Sequence, residues 1–224
     1  MNTTEEFVER YKFRIHGECE ATEFCSPVAF NLETIKALGR KLQRRVGKDR
    51  LLEPDQCEMA GIHVHTSTGA NHRTTENMMA KVLMMLNRES SRDFVWNFSG
   101  RADAGQYEYR HQGRSTCWDS DGYEPGYDDW NDVELEPLEE AENNQMVRSN
   151  SFGDNSTIEY RIWNGVSDRL MLALEFSHAC TKFIAQYDGS DTPYISEFKA
   201  WLFKQRGYKL LRATPEWSLV KGEN

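Results

Sequence analysis

Residues 61–69 read Gly61-Ile-His-Val-His-Thr-Ser-Thr-Gly69, or GIHVHTSTG. The run is short, rich in β-branched residues, and ends in a Ser/Thr/Gly turn. It predicts a strand over 60–67. Side chains two apart on a strand point to one face, so His63 and His65 project side by side. Paired imidazoles can hold a metal, bind phosphate or move protons, or they can simply face solvent. The rest of the chain narrows that choice.

Around this strand the pattern alternates between strands and helices. YKFRIH (11–16) and EATEFCS (20–26) read as strands, being rich in aromatic or β-branched residues. In LETIKALGRKLQRRV (32–46), Leu32, Ile35, Leu38 and Leu42 recur at helical spacing, predicting an amphipathic helix with a basic outer face. NHRTTENMMAKVLMMLNR (71–88) predicts a helix capped by Thr74 or Thr75. Met78, Val82, Met85 and Leu86 form its core side. SRDFVWNFSGRADAGQYEYRH (91–111) reads as irregular chain ending in a strand. STIEYRIWNG (156–165) reads as a strand and turn, and two helices follow over 168–187 and 196–206. His178 falls inside the first of these, where a satisfied core histidine is the ordinary role. Strands and helices mix without strict βαβ order, so the fold class is α+β, in one domain spanning 1–224.

The formal net charge of −9 is local in origin. Residues 119–142 hold eleven acids and no Lys or Arg, which leaves 25 acids against 27 bases elsewhere. We read this segment as an insertion or solvated loop. The nearly neutral remainder argues against general nucleic-acid binding, which needs a basic face. Five scattered cysteines without a CxxC pair argue against a disulfide framework. No apolar run is long enough to span a bilayer, and MNTTEEFVERYKF lacks the apolar core of a signal peptide. The expectation is a soluble cytoplasmic protein.

Three pairs spaced by two carry the chemistry: Glu18/Glu20, His63/His65 and Glu159/Arg161. On one sheet they would bring carboxylates, imidazoles and a guanidinium to one concave face. Carboxylates with a histidine suit magnesium or manganese beside a phosphate. Arginine gives bidentate contacts to phosphate or carboxylate. Such a set is equipment for phosphoryl transfer.

In order along the chain, these motifs resemble the amidoligase family of glutamine synthetase-like carboxylate–amine ligases. TEFCSPVAF (22–30) is similar to its Glu-x-x-Ser-Pro element, and GIHVHTS to its Gly-x-His-x-His strand. FSGRADAGQY (98–107) supplies an arginine, Arg101. TIEYRIWNGVSDRLMLALEFSHA (157–179) is similar to its Glu-x-Arg strand and long apolar helix. The resemblance covers roughly residues 15–186. It implies a curved antiparallel or mixed sheet with helices packed on one face.

The resemblance also implies an ATP-dependent ligase that forms an amide through an acyl phosphate, with magnesium (or manganese). Its substrates would be a small-molecule or peptide carboxylate and an amine, and homo-oligomerisation is expected. The implied metal ligands are Glu23, Glu159 and His63, with Glu18 and Glu20 as further candidates. His63 would otherwise contact the nucleotide phosphate. His65 would orient or contact substrate, and Arg101 and Arg161 would bind nucleotide and stabilise the transferring phosphoryl group. One departure stands out. The family's early Gly-x-Glu-x-Glu strand has no full equivalent, and GECE (17–20) lies very near TEF. Either Glu18 and Glu20 take that role or a metal site is missing, which would suit a ligase-fold protein that binds without catalysis.

Two other readings use the same residues. GIHVHTSTG is also similar to the opening of the polymerase-and-histidinol-phosphatase metallohydrolases. That site needs more ligands than His72, His111 and His178 supply, and its barrel needs a longer frame. A structural zinc from Cys57, His63, His65 and His72 would have irregular spacing.

Overall fold

The computed structural model describes residues 4–18, 21–46, 61–87, 89–99, 147–152, 155–164, 169–189 and 193–220. The acidic segment 119–142 lies outside them. In chain order the elements are α1 (Thr4–Tyr11), β1 (Arg14–Glu18), β2 (Ala21–Cys25), α2 (Leu32–Val46), β3 (Gly61–Ser67), α3 (His72–Asn87) and α4 (Glu89–Phe98). There follow β4 (Val147–Phe152), β5 (Asn155–Asn164), α5 (Leu170–Gln186), α6 (Ile195–Phe203), the short α7 (Lys209–Arg212) and a 3-10 turn at Pro215–Leu219. The class is α+β, and both sheets among the described residues are antiparallel. No helix is long and apolar enough to cross a membrane among the described residues.

Several elements depart from the sequence expectation, each for a local reason. Tyr11 belongs to a helix, not to the strand expected over 11–16. Phe7 and Tyr11 meet one turn apart as a tilted ring pair with centroids 5.0 Å apart. Lys12, with φ of 57°, ends that helix, and the strand begins at Arg14. Residues 91–98, the start of the stretch read as irregular, are helical as part of α4, with Phe94, Val95 and Phe98 on one buried face. Strand β4 was not expected from VRSNSF. Helix α3 is capped by Asn71, whose Oδ1 accepts the Thr74 N–H at 2.9 Å, rather than by Thr74 or Thr75. Thr75 is buried and bonds Thr68 Oγ1 at 2.6 Å, tying the helix start to the end of β3. Gly69 makes the turn between them with φ of 65°, a conformation that favours glycine.

The central sheet has the order β3-β5-β4. One face carries Val64, Val147, Ile158, Tyr160 and Ile162, all buried against α3 and α5. The expected methionine stripe is core: Met78, Val82, Met85 and Leu86 are all buried. An aromatic cluster continues it, with Phe176 of α5 contacting Phe98, Tyr160, Trp163 and Phe198. Helix α2 lies on α5. Gly39 lets the two approach, since a Cβ there would meet Met171 Cε at 2.5 Å. Beside it a buried ion pair crosses the interface, Lys36 Nζ to Glu175 Oε1 at 2.5 Å. The other oxygen of Glu175 accepts the Leu211 N–H at 2.9 Å.

Helices therefore cover one face of the sheet. The other face carries the polar alternates of the same three strands.

Candidate functional site

The alternation that buries Val64 and Tyr160 turns His63, His65, Glu159 and Arg161 the other way. Two pairs far apart in sequence become neighbours because β3 runs antiparallel to β5, with His65 opposite Glu159. The ladder then slips. Ile62 pairs with Trp163 and Val64 with Tyr160, so His63 stands against both Arg161 and Ile162. This bulge lets Ile162 and Trp163 both enter the core. It also leaves Arg161 beside His63.

Glu159 sits at the centre of the group and is only 2% exposed. Its Oε1 lies 3.5 Å from His63 Nδ1, 3.7 Å from His65 Nε2 and 3.7 Å from Arg161 Nε. Its Oε2 accepts a 2.6 Å hydrogen bond from Asn150 Nδ2 on β4. Arg161 Nε also donates to His63 Nε2 at 3.4 Å. The distances to Oε1 are ion-pair distances rather than tight hydrogen bonds. The His63 and His65 side chains are 33% and 40% exposed. The arrangement is a buried carboxylate roofed by two imidazoles and a guanidinium that reach solvent.

Of the residues expected at the site, these four come together on one sheet. Among the described residues, Glu18 and Glu23 lie on strands of another sheet. Strands β1 and β2 form a sheet of their own, so the single face carrying all three pairs does not form among the described residues. Glu18 ends β1 and pairs with Ala21, and Glu23 lies on β2 opposite His16. The extended run that would set Glu18 and Glu20 on one face stops at Glu18. Glu20 and Arg101 lie outside the described residues, as do Cys57 and His111. His72 opens α3 and pairs with Glu76 at 3.2 Å. His178 is half-buried and bonds Tyr208 Oη through Nδ1 at 2.9 Å, as a satisfied core histidine would. Burial, then Lys182, hold its pKa below the ordinary 6.5.

Asn150 is the member that sequence reading missed. A signal existed in the sequence: Gly-Asp, at 153–154, is a dipeptide type favoured in two-residue hairpin loops. The β4-β5 ladder sets Asn150 opposite Thr157, two residues from Glu159.

Among the described residues, no group of three or more His, Cys, Asp and Glu is placed to hold a metal ion. The donor chemistry agrees for magnesium, which takes oxygen ligands in octahedral geometry. Here one carboxylate is already bonded to Asn150 and faces a guanidinium, and the other groups are nitrogens. The described cluster by itself is not a magnesium site. The groups it presents toward solvent, Arg161 and the two imidazoles, are of types that can contact phosphate or carboxylate groups. On the inner side of the sheet, the described polar groups bond one another. Tyr160 Oη and Thr66 Oγ1 both bond Thr181 Oγ1, at 2.8 and 2.6 Å, and burial pushes the Cys180 thiol up to about 12.

Comparison with protein-family models, with curated proteins and with solved structures found no match.

Proposed function

We propose that the open face of the β3-β5-β4 sheet is the nucleotide-side face of an ATP-dependent carboxylate–amine ligase of the amidoligase kind, built on a glutamine synthetase-like sheet. One observation carries the reading. The His-x-His and Glu-x-Arg motifs that suggested the family meet across one ladder, with His65 opposite Glu159. They do so on the sheet face opposite the one that the described helices α3 and α5 pack against.

In this reaction a substrate carboxylate takes the γ-phosphoryl group of ATP, and the acyl phosphate is then attacked by an amine. The chain's own residues contribute charge and position. Arg161 offers positive charge and the two imidazoles offer ring nitrogens to the transferring group, where fixed positive charge stabilises the developing negative charge. Glu159 holds that surface together from beneath, through His63, His65 and Arg161. Magnesium (or manganese) enters this proposal as the counter-ion of ATP, not as the guest of a cage built by the described residues. Arg101, Glu18, Glu20 and Glu23 remain proposed contributors, and a peptide or small-molecule carboxylate with an amine remains the proposed substrate pair.

A second reading is favoured by the count of carboxylates. Glu159 is the only one on that face among the described residues. A ligase-fold protein that binds nucleotide or phosphate without turnover would need no more. The metallohydrolase reading is weaker, because its barrel needs parallel strands and both described sheets are antiparallel.

The test follows ADP and phosphate release from ATP and magnesium against a panel of amino acids, peptides and amines. A His63→Ala/Glu159→Ala double variant is the control. The ligase predicts release that needs both a carboxylate and an amine and falls at least a hundredfold in the variant, about 2.7 kcal/mol of barrier. ATP-induced stabilisation without release supports the binding protein. Absence of both overturns the nucleotide site.

A further inference from the structure

We propose that the corner between α6 and α7 is a peripheral docking surface for an anionic lipid bilayer. Residues 198–215 hold five Lys and Arg and no Asp or Glu. Helix α6 ends at Phe203 and α7 opens at Lys209, and the turn between them brings the Tyr208 ring back to 6.1 Å from that of Trp201. Leu202 and Leu211 are fully buried on the inner side of this corner. Their chain neighbours Phe203 and Leu210 lie about 100° away around each helix and emerge on the outside, 49% and 46% exposed. Lys204, Arg206 and Lys209 are exposed in the same stretch, and none of the three side chains forms an ion pair among the described residues. The carboxylates that flank the stretch are engaged elsewhere. Glu197 accepts the Tyr194 N–H at 2.8 Å, and Glu216 pairs with Arg169 at 3.0 Å.

The composition of the corner selects its partner. Two half-exposed apolar side chains set among three cations match the boundary of an anionic bilayer. There apolar groups enter the acyl edge while Lys and Arg meet the phosphates. A nucleic acid would use the cations and could stack on Phe203, but it has no use for an aliphatic Leu210. Other surfaces carry one component without the other. Val28 and Phe30 are more exposed, yet residues 26–35 hold no Lys or Arg. Arg40, Lys41 and Arg44 are exposed on α2, which has no exposed large apolar side chain. Helices α6 and α7, of nine and four residues, are too short to cross a bilayer, so the corner rests on its surface. Reversible contact of this kind needs both signals, and losing either set of side chains should release the protein.

The test is co-sedimentation of the full-length protein with vesicles of phosphatidylcholine alone, or with one part in three of phosphatidylserine. The wild type should bind only the anionic vesicles, and less as salt rises. Lys204→Gln/Arg206→Gln/Lys209→Gln should weaken that binding by about tenfold or more, and so should Phe203→Ser/Leu210→Ser. Arg40→Gln/Lys41→Gln/Arg44→Gln removes the same charge from α2 and should leave binding unchanged. An equal loss in the α2 variant overturns the assignment to this corner. Vesicle binding that ignores the Phe203 and Leu210 changes overturns the bilayer reading in favour of a surface that takes any polyanion. Capture of RNA without vesicle binding does the same, and a wild type that binds no anionic vesicle overturns the proposal outright. If the serine variant does not fold, Leu210→Ala alone carries the apolar comparison.

Discussion

His65 and Glu159 stand directly opposite each other on β3 and β5, with Nε2 and Oε1 3.7 Å apart. Glu159 is buried while His65 is 40% exposed. The carboxylate thus lies below the sheet surface and the imidazole at it. Charge at the surface is organised from beneath. Changing Glu159 to Gln keeps the shape and the Asn150 side but removes the charge that His63, His65 and Arg161 share. Turnover should fall by at least tenfold, with a stability cost of about 1–3 kcal/mol, the usual range for disturbing a buried polar network. Paired denaturation and ADP-release measurements check both. Full activity in the variant would contradict the role given to Glu159.

The Lys36–Glu175 pair makes a separate prediction about the frame. Glu175 is fully buried and Lys36 nearly so. Removing one partner strands the other charge in the α2–α5 interface. Lys36→Met should cost about 3–5 kcal/mol, whereas Lys36→Met with Glu175→Leu should cost less, since an apolar pair can replace a buried ion pair. Urea unfolding of the two variants gives the comparison. A single variant as stable as wild type would show that the pair is not closed in solution.

Phe176 packs near four aromatic rings, Tyr160 and Trp163 of the sheet, Phe98 of α4 and Phe198 of α6. Phe176→Ala should destabilise by about 3–5 kcal/mol through lost burial and the cavity left behind. A loss below 1 kcal/mol in the same unfolding experiment would place Phe176 outside the core.

His178 predicts a pH dependence of stability. Its folded-state pKa is depressed, first by burial and then by Lys182. Below the ordinary value of 6.5 the unfolded chain takes up this proton before the folded protein does. Stability is therefore fully present above 6.5, falls as the pH drops below it, and stops falling from this cause once the folded-state pKa is passed. His178→Gln should flatten the melting-temperature slope between pH 7 and the acid side. An identical slope in the variant would assign the dependence to other groups.

Cys180 is fully buried, and its thiol is pushed up to about 12 by burial. Thiolate is the reactive form, so this cysteine should stay unmodified in native protein at pH 8 and react only after unfolding. Peptide mapping after iodoacetamide treatment reads this directly. Rapid native labelling at Cys180 would contradict its burial.

Much of the frame was legible in the sequence because it rests on short periods. The two-residue period of a strand marked His63/His65 and Glu159/Arg161 as same-face pairs. The helical period marked Met78, Val82, Met85 and Leu86 as core. What depended on distant partners was not legible. Lys36 lies on the buried side of a helix read as basic only outside, because its counter-charge Glu175 is far along the chain. The ladder register that sets His65 against Glu159 follows from the antiparallel pairing and the bulge at His63, which no local pattern encodes. Strand β4 escaped notice because VRSNSF has little apolar content, and Asn150 with it. The separate β1-β2 sheet likewise overrode the expectation of one face, since three short strand patterns do not say which strands pair.

The most direct test of the nucleotide face is the melting temperature of wild type and Arg161→Ala with and without ATP and magnesium. A ligand at a hundred times its dissociation constant stabilises the folded state by about 2.7 kcal/mol. A clear rise in the wild type that disappears in folded Arg161→Ala is the result expected of a nucleotide site on the β3-β5-β4 face. No rise in the wild type, or an equal rise in both proteins, would contradict it.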